Sequence, residues 1–325
     1  MLIDHRLVGL LSALALTISS AALAQSYPSK PVRIVVPFAA SGTGTDLVAR
    51  IAAEFITTKT GQSVVVENRG GAGGNLGMDL VAKASPDGTT LGMALATNVV
   101  VNPHIYKTMP FDALKDLLPV APVVATSQLI VVNDDFPAKT LQELIARAKA
   151  EPGKIAYASA GVGTIAHLGA HAFAQQAGLE LVHVPYRGIG QAVGDVVAGT
   201  VPMMSVSVGP VLGALQAKKL RVLAVATPKR LAYLPDVPTA AEAGLPGFEL
   251  SSWFGIFAPG GTSKEIVATV SGWIQDMLKD PTARKRLGDN HLDPLVMSPE
   301  EFGRFVAADH ARWKRIVETS GVPQQ

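Results

Sequence analysis

The sequence contains no cysteine among its 325 residues. Disulfides, thiolate nucleophiles, cysteine-ligated zinc and cysteine-linked lipid anchors are therefore excluded. Charge is also scarce, because only 17% of the residues are charged and the formal net charge is +2 at pH 7. The chain thus has no basic stripe that would follow a phosphate backbone, and we do not expect nucleic acid as a partner.

Long apolar runs are missing as well, and the strongest one lies near the start. Arg6 precedes an apolar run at residues 7–18, and small residues follow at 21–24. A membrane span needs about 20 apolar residues, so a membrane anchor is the weaker interpretation. The order of basic, apolar and small residues is typical of a secretory signal peptide. We expect residues 1–24 to be removed before Gln25 and the mature protein to be soluble and exported.

The remaining chain is long enough for two domains, and 48% of its residues are hydrophobic, which supports sizeable cores. Strand-like apolar runs, glycine-bearing loops and helical periodicities alternate through most of it. This alternation predicts an α/β fold, in which helices cover both faces of parallel sheets.

A loop from Pro37 to Asp46 joins a β-branched run to an amphipathic helical pattern. The first amides of a helix lack intrahelical partners and carry a partial positive charge, so such a loop favours an anion. An aspartate at a helix start is also stabilised by the helix dipole, which is the structural alternative for Asp46. The candidate ligand-binding residues here are Phe38, Ala39, Ala40, Ser41, Gly42, Thr43 and Asp46.

The same design recurs after a strand-like run at 155–157. Ser159 to Thr164 again combines glycines with hydroxyls and leads into a helical stretch. Two donor-rich helix starts in separate halves suggest a clamp around an anion, whereas the plainer interpretation is a pair of ordinary tight turns. The candidates in this loop and the first helical turn are Ser159, Ala160, Gly161, Thr164 and His167.

A few candidates lie elsewhere. Thr97 and Asn98 follow a predicted strand, and ligands of open α/β sheets sit outside the carboxyl ends of strands. The alternative is that this pair only begins a turn. Ser127 and Ser205 complete the set of predicted ligand-binding residues. Arg187 either pairs with a ligand carboxylate or is simply solvated.

Other chemistries receive little support. His167 and His171 lie on one predicted helix face, but the sequence indicates no third metal ligand, so we expect neither a metal nor a cofactor. No glycine loop has the dinucleotide or P-loop spacing, and the glycines at 70–77 are interpreted as a close-packed turn. Ser41 or Ser159 as an acyl-transfer nucleophile remains the enzymatic alternative, an exported serine hydrolase.

Several ordered motifs carry a resemblance to a known family. They are Pro37-Phe38-x-x-x-Gly42-x-x-Thr45-Asp46, Glu67-Asn68-Arg69-x-Gly71-Ala72-Gly73-Gly74, Tyr157-x-Ser159-x-Gly161-x-Gly163-Thr164-x-x-His167-Leu168, His183-Val184-Pro185-Tyr186-Arg187-Gly188 and Trp253-Phe254-Gly255-x-Phe257-Ala258-Pro259. With these motifs the chain closely resembles the tripartite tricarboxylate transporter substrate-binding receptors, also known as the Bug family. The resemblance covers nearly all of the mature chain.

The resemblance implies a two-lobed periplasmic binding protein of type II-like architecture. Each lobe is expected to be a mainly parallel sheet with helices on both faces, and two hinge strands are expected to cross near 124–127 and 225–227. Lobe 1 would comprise residues 25–125 and 227–325, and lobe 2 residues 126–226. Loops 38–46 and 159–164 would grip a small carboxylate.

The resemblance also implies partners. A monomeric receptor would deliver its ligand to the membrane subunits of a tripartite tricarboxylate transporter and catalyse no reaction. A receptor that feeds a sensor kinase is the alternative, because it would have the same fold and pocket. Both readings place the protein in the periplasm.

Three positions depart from the family pattern. Ser41 stands where glycine is common, His171 where an acidic or small residue is common, and Pro202 and Val206 lie in a stretch that often carries aspartates. An acidic partner for a ligand ammonium is therefore missing from that stretch. We expect a carboxylate without a compensating amine, and a partly apolar or aromatic ligand remains open.

Overall fold

The computed structural model describes residues 27–40 and 44–324. The predicted signal peptide lies outside the described residues, and so do Ser41, Gly42 and Thr43 of the first candidate loop. In the described part of the chain, no helix is both long enough and apolar enough to cross a membrane.

The first lobe begins with three parallel strands in the order β2-β1-β3. Strand β3 is buried along almost its whole length, so side chains on both of its faces are covered, as is typical of a parallel strand inside an α/β sheet. The elements of this part are β1 (Val32–Val36), α1 (Gly44–Thr60), β2 (Val64–Asn68), α2 (Asn75–Ala82), β3 (Thr90–Leu95), a π-helical turn (Thr97–Val101) and α3 (Asn102–Ile105).

The second lobe repeats this arrangement with the parallel strands β7-β5-β6. Its elements are α4 (Leu141–Ala150), β5 (Ala156–Ser159), α5 (Ile165–Ala177), β6 (Val182–Pro185), α6 (Ile189–Val197), β7 (Met203–Ser207), α7 (Val208–Gln216) and β8 (Leu220–Val225). Short glycine-bearing loops connect strands to helices, as the alternating pattern predicts.

Two long strands, β4 (Leu117–Asn133) and β9 (Ser251–Pro259), complete the sheets. β9 is antiparallel to both β3 and β4, and β4 is antiparallel to β7 and β8. The α/β fold with two lobes is confirmed, but the sheets are mixed rather than mainly parallel. The physical reason is that β4 and β9 pair along their length in opposite directions.

Strand β4 passes from one lobe to the other. Ser127 is paired with Ser251 of the first-lobe sheet, and the next residue, Gln128, is paired with Ser207 of the second-lobe sheet. This is where a hinge strand was expected.

The second crossing has a different form. Ala226 N donates to Gln128 O, and Leu250 N donates to Ala226 O, so both ends of segment 226–250 lie beside the crossing part of β4. Residues between these ends, such as Leu231 and Val237, pack with the core of the second lobe. The lobe boundary at 227 stays a prediction, and these contacts favour a position nearer Leu250.

The C-terminal part belongs to the first-lobe sheet but reaches the second lobe. It contains α8 (Lys264–Met277), α9 (Pro281–Gly288), β10 (Asp293–Pro294) and α10 (Pro299–Ser320). A capping box at Ser298 and Glu301 begins α10. Trp313 of α10 is fully buried, and Thr319 Oγ1 donates to Gln175 Oε1 of α5 at 3.3 Å. Helix α10 therefore packs against both lobes.

Candidate functional site

Asp46 holds the first candidate loop to the neighbouring strand. Asp46 is only 1% exposed, and Arg50 Nη2 lies 3.0 Å from Asp46 Oδ1. Asn68 Nδ2 donates to the same oxygen at 2.9 Å and to Phe38 O at 3.1 Å. These bonds tie the loop to β2. They support the structural interpretation of Asp46, and its contact with a ligand stays a prediction.

The glycines at 70–77 bring backbone close to this loop. A Cβ on Gly77 would lie 2.8 Å from Pro37 Cα, and one on Gly74 would lie 2.2 Å from Asn98 Nδ2. Only glycine fits at these two positions. On the solvent side of this packing, Phe38 is half-buried and Ala39 and Ala40 are exposed.

Asn98 organises the carboxyl end of β3. It accepts a hydrogen bond from Leu95 N at 3.1 Å and donates to Gly73 O at 2.8 Å. Asn102 Nδ2 also donates to Gly73 O, at 3.1 Å. Asn98 is fully buried, whereas its neighbour Thr97 is half-buried at the start of the π-helical turn. Thr97 is therefore the more accessible of the two.

Ser159 closes the second candidate loop on itself. Its hydroxyl lies 2.7 Å from His183 Nε2, accepts from Gly161 N at 3.1 Å and lies 3.1 Å from Gly161 O. Thr164 Oγ1 donates to the same carbonyl at 2.7 Å and also caps helix α5. Ser159 is fully buried by these contacts.

His167 holds the other end of the loop. Gly163 N donates to His167 Nδ1 at 3.1 Å. The ring stacks on His183 with centroids 3.8 Å apart, and Tyr157 stacks on His183 at 5.0 Å. Burial, followed by the nearby charges of His183 and His171, lowers the pKa of His167 to about 4. Burial also lowers the pKa of His183, so both imidazoles are neutral at pH 7.

The loop uses several of its own amides. Gly161 N, Gly163 N, Thr164 N and His167 N all donate within the loop or to its side chains. In the described part of the chain, the donors that it can still offer are the amides of Ala160, Val162, Ile165 and Ala166. The first two helical amides, Ile165 and Ala166, have no intrahelical acceptor.

Ser127 lies on the crossing strand β4 and Ser205 lies on β7, so neither belongs to the two loops. Ser127 is buried beside Tyr233. Burial and the charge of Asp293 raise the pKa of the Tyr233 phenol, and the Ser127 side chain partly opposes this by lowering it. Ser205 is fully buried, and its Oγ has no hydrogen-bond partner among the described residues. A Cβ on Gly169 of α5 would lie 3.0 Å from this Oγ. Ser205 therefore faces α5.

Helix α3 lies between the two loop regions. Asn102, at its start, bonds the glycine turn of the first lobe, and Ile105, at its end, lies against Gly163 of the second lobe. The candidates thus form two bonded groups, one around Asp46 and one around Ser159 and His167.

Sequence reasoning missed the parts that Asn68 and His183 play. Both lie in quoted motifs, but their role depends on strand register: Tyr157 is paired with His183, and Val36 with Asn68. A short-range signal for this pairing does not exist in the sequence. Over the described residues no group of three or more acidic residues, cysteines or histidines is arranged to hold a metal.

A cavity of about 220 Å³ lies elsewhere, beside Tyr27, Lys30 and Asp87. Thr89, which directly precedes β3, also lines it. It therefore lies toward the amino ends of β1 and β3. Ligands of parallel sheets bind at the opposite, carboxyl ends, so we assign this cavity no role in the site.

Comparison with known proteins shows the family of this chain. A family model described as "Tripartite tricarboxylate transporter family receptor" matches residues 48–322. Protein BugT of Bordetella pertussis is 33% identical over 318 residues, which cover 96% of this chain and 97% of that protein.

Solved structures agree with this assignment. Rpa4515 of R. palustris, solved with adipate, is 34% identical with a TM-score of 0.78, covering 91% of this chain and 98% of that one. MatC of Rhodopseudomonas palustris, with bound malate, is 32% identical with a TM-score of 0.74, covering 90% and 100%. The chain therefore belongs to the tripartite tricarboxylate transporter receptors, the Bug family of solute-binding proteins.

Proposed function

We propose that this protein is a periplasmic receptor that binds a small carboxylate between its lobes and delivers it to the membrane subunits of a tripartite tricarboxylate transporter. Family membership over residues 48–322 is the observation that carries the proposal. Relatives solved with adipate and with malate support a carboxylate as the ligand. We further propose cleavage before Gln25, a monomeric state, no cofactor and no catalysed reaction.

The donors of the second loop support an anionic ligand. Ala160, Val162, Ile165 and Ala166 offer amides at the start of α5, where the helix dipole adds positive potential. Each hydrogen bond to a charged group contributes about 1.5–3 kcal/mol, so a few of them offset the cost of immobilising a small ligand. The predicted residues of loop 38–46, with Thr97 and Ser127, are proposed to contact the ligand from the other side.

Charge supports a ligand without an ammonium group. Loop 159–164 contains no acidic residue, and Asp46 of the first loop is already engaged by Arg50 and Asn68. A ligand amine would therefore be desolvated without an acidic partner. We propose that amino acids bind more weakly than the carboxylates that lack the amine.

The contact between Ser159 and His183 favours one rival function, an exported serine hydrolase, because a serine nucleophile needs a base within hydrogen-bond distance. Burial argues against it. Ser159 is fully buried, and its hydroxyl contacts Gly161 N and Gly161 O as well as His183. A hydroxyl held in this way cannot approach a substrate carbonyl. The receptor remains the better-supported function.

A thermal-shift screen of the mature protein tests the proposal. The panel pairs adipate, malate, succinate and benzoate with amines such as aspartate. A ligand at 100 times its Kd stabilises a protein by about 2.7 kcal/mol, so a matching carboxylate is expected to raise the Tm clearly. A panel in which no carboxylate raises the Tm contradicts the proposal.

Two further measurements separate the rivals. A hydrolase would convert esters with turnover that Ser159→Ala abolishes, whereas a receptor binds its ligand stoichiometrically and forms no product. A sensor-kinase receptor would leave uptake of the bound carboxylate unchanged when the genes for the transporter's membrane subunits are deleted. The proposed receptor loses that uptake.

A further inference from the structure

The backbone of Gly163 fixes the tautomer of His167. Gly163 N lies 3.1 Å from His167 Nδ1, and a backbone N–H can only donate. Nδ1 must therefore be the unprotonated acceptor nitrogen, and the neutral ring carries its proton on Nε2. The lowered pKa of His167 agrees with a neutral ring at pH 7.

The protonated nitrogen of His167 is left without a partner. Nε2 makes no hydrogen bond with any described residue, and it is not one of the unpartnered polar atoms that are sealed from solvent in that part of the chain. The ring belongs to the first turn of α5, next to the amides of Ile165 and Ala166. A third donor thus lies beside two backbone donors that also lack acceptors.

The ring is held in one orientation before any ligand arrives. His183 stacks on it at 3.8 Å and is itself held by Ser159 at 2.7 Å. With Nδ1 bound to Gly163, rotation of the imidazole would break that bond. A donor fixed in this way costs little entropy when it binds an acceptor.

We infer that His167 is a ligand-binding residue that donates from Nε2–H to a carboxylate oxygen of the solute. This inference rests on the proposed function and adds the atom and the tautomer. In the second lobe, the ligand would then be bound by uncharged donors only, namely backbone amides and one imidazole N–H. Such a set binds a carboxylate through directed donors, with no cationic side chain.

Two substitutions separate the ring nitrogens. The amide of His167→Gln reaches the position of Nε2 and keeps a donor there, whereas the amide of His167→Asn reaches the position of Nδ1 and keeps an acceptor for Gly163 N. We expect His167→Gln to bind adipate or malate more tightly than His167→Asn. The affinity of His167→Asn, measured by calorimetry, should be lower by about tenfold or more, which is equivalent to one charge-assisted hydrogen bond. An Asn variant that binds as well as the Gln variant, or better, overturns the inference.

Controls separate this inference from the function itself. His171→Gln and His171→Asn, one turn further along α5, should both bind like the wild type. If the wild type binds adipate or malate and the variants show the reverse order, only the inference fails. If the wild type binds no carboxylate, the proposed function fails and the inference with it.

A second readout does not depend on how the variants fold. In ¹⁵N-labelled wild-type protein at pH 7.5, the imidazole spectrum of His167 should show the proton on Nε2, and adding adipate or malate should shift that signal. A proton on Nδ1, or an Nε2 signal that stays unchanged at saturation, overturns the inference.

Discussion

Ile105 and Gly163 lie in direct contact, and this contact joins helix α3 of the first lobe to the candidate loop of the second. A Cβ on Gly163 would lie 2.8 Å from Ile105 Cδ1, and Gly163 has a φ of +79°. Ile105 is 4% exposed within a hydrophobic cluster that includes residues of both lobes. The side chain of Ile105 therefore has little room to move away.

Gly163→Ala tests this contact, and Gly153→Ala is its matched control. Gly153 has a φ of +69° and nothing within 4 Å of a Cβ, so both variants carry the left-handed cost of about 1 kcal/mol. We expect Gly163→Ala to lose at least about 1 kcal/mol more, because only it overpacks the interface. Urea unfolding measures the difference.

Removing the opposing methyl should relieve the clash. Ile105→Val lacks Cδ1, so the double variant with Gly163→Ala should be more stable than the sum of the two single effects. Additive effects would show that the two side chains do not meet in solution.

Ile165→Pro tests whether the first amides of α5 bind the ligand. Proline suits the first helical position, and the preceding Thr164 has φ −72° and ψ 157°, which proline tolerates. The variant should fold and lose about 1.5–3 kcal/mol of binding free energy for a carboxylate, measured by calorimetry.

Lys264→Pro is the control for this variant. Lys264 begins α8 after Ser263, which has φ −65° and ψ 152°, so the local geometry matches. α8 belongs to the first lobe, away from the candidate loops. Equal affinity of both proline variants for the ligand would remove the Ile165 amide from the site.

The parts of the fold that depend on local sequence were predictable. The β-branched run 32–36 and the Gly/Thr loops give strands and helix starts where the structure has them. The use of the loop amides was not predictable. The predicted amide-lined turn keeps fewer free amides than expected, because Gly161 N and Gly163 N are taken by Ser159 and His167. Which amides are bonded in this way depends on side-chain rotamers and on how the loop closes, and neither can be read from the sequence.

Long-range pairing explains the other differences. The mixed sheets arise because β4 pairs with β9, far along the chain, and no local pattern specifies that register. Thr97 and Asn98, predicted to line the cleft or else to begin a turn, lie in a π-helical turn, and the Asn98 side chain donates to Gly73 O. His183 reaches the site through its register with Tyr157.

Asp309 is expected to stabilise the helix that packs against both lobes. Its carboxylate accepts from Trp253 Nε1 at 2.9 Å and pairs with Arg312 Nη2 at 2.7 Å. Asp309→Leu leaves the buried indole N–H of Trp253 without an acceptor and removes the carboxylate partner of Arg312, which keeps its bond to Glu249 O, so we expect a loss of about 2 kcal/mol or more. Asp289→Leu breaks the exposed pair with Lys285 and should cost less than about 1 kcal/mol in the same urea experiment. Similar losses for both would contradict a buried role for Asp309.

Acid is expected to destabilise the fold through its histidines. Burial is the first cause that lowers the pKa values of five of them, His104, His167, His171, His183 and His310. The unfolded chain then binds more protons below the ordinary histidine pKa of 6.5. For His167 the difference persists down to its folded pKa of about 4, so its contribution is complete above pH 6.5 and is lost as pH falls through that window.

The urea midpoint should therefore fall between pH 7.5 and pH 5, above the range in which most carboxylates titrate. His167→Asn removes one of these groups while keeping an acceptor for Gly163, so its midpoint should fall less over the same interval. Asp293, whose pKa burial raises, acts in the opposite direction as the pH falls through its titration. A midpoint that is constant or rises from pH 7.5 to pH 5 would mean that these imidazoles are as solvated in the folded protein as in the unfolded chain.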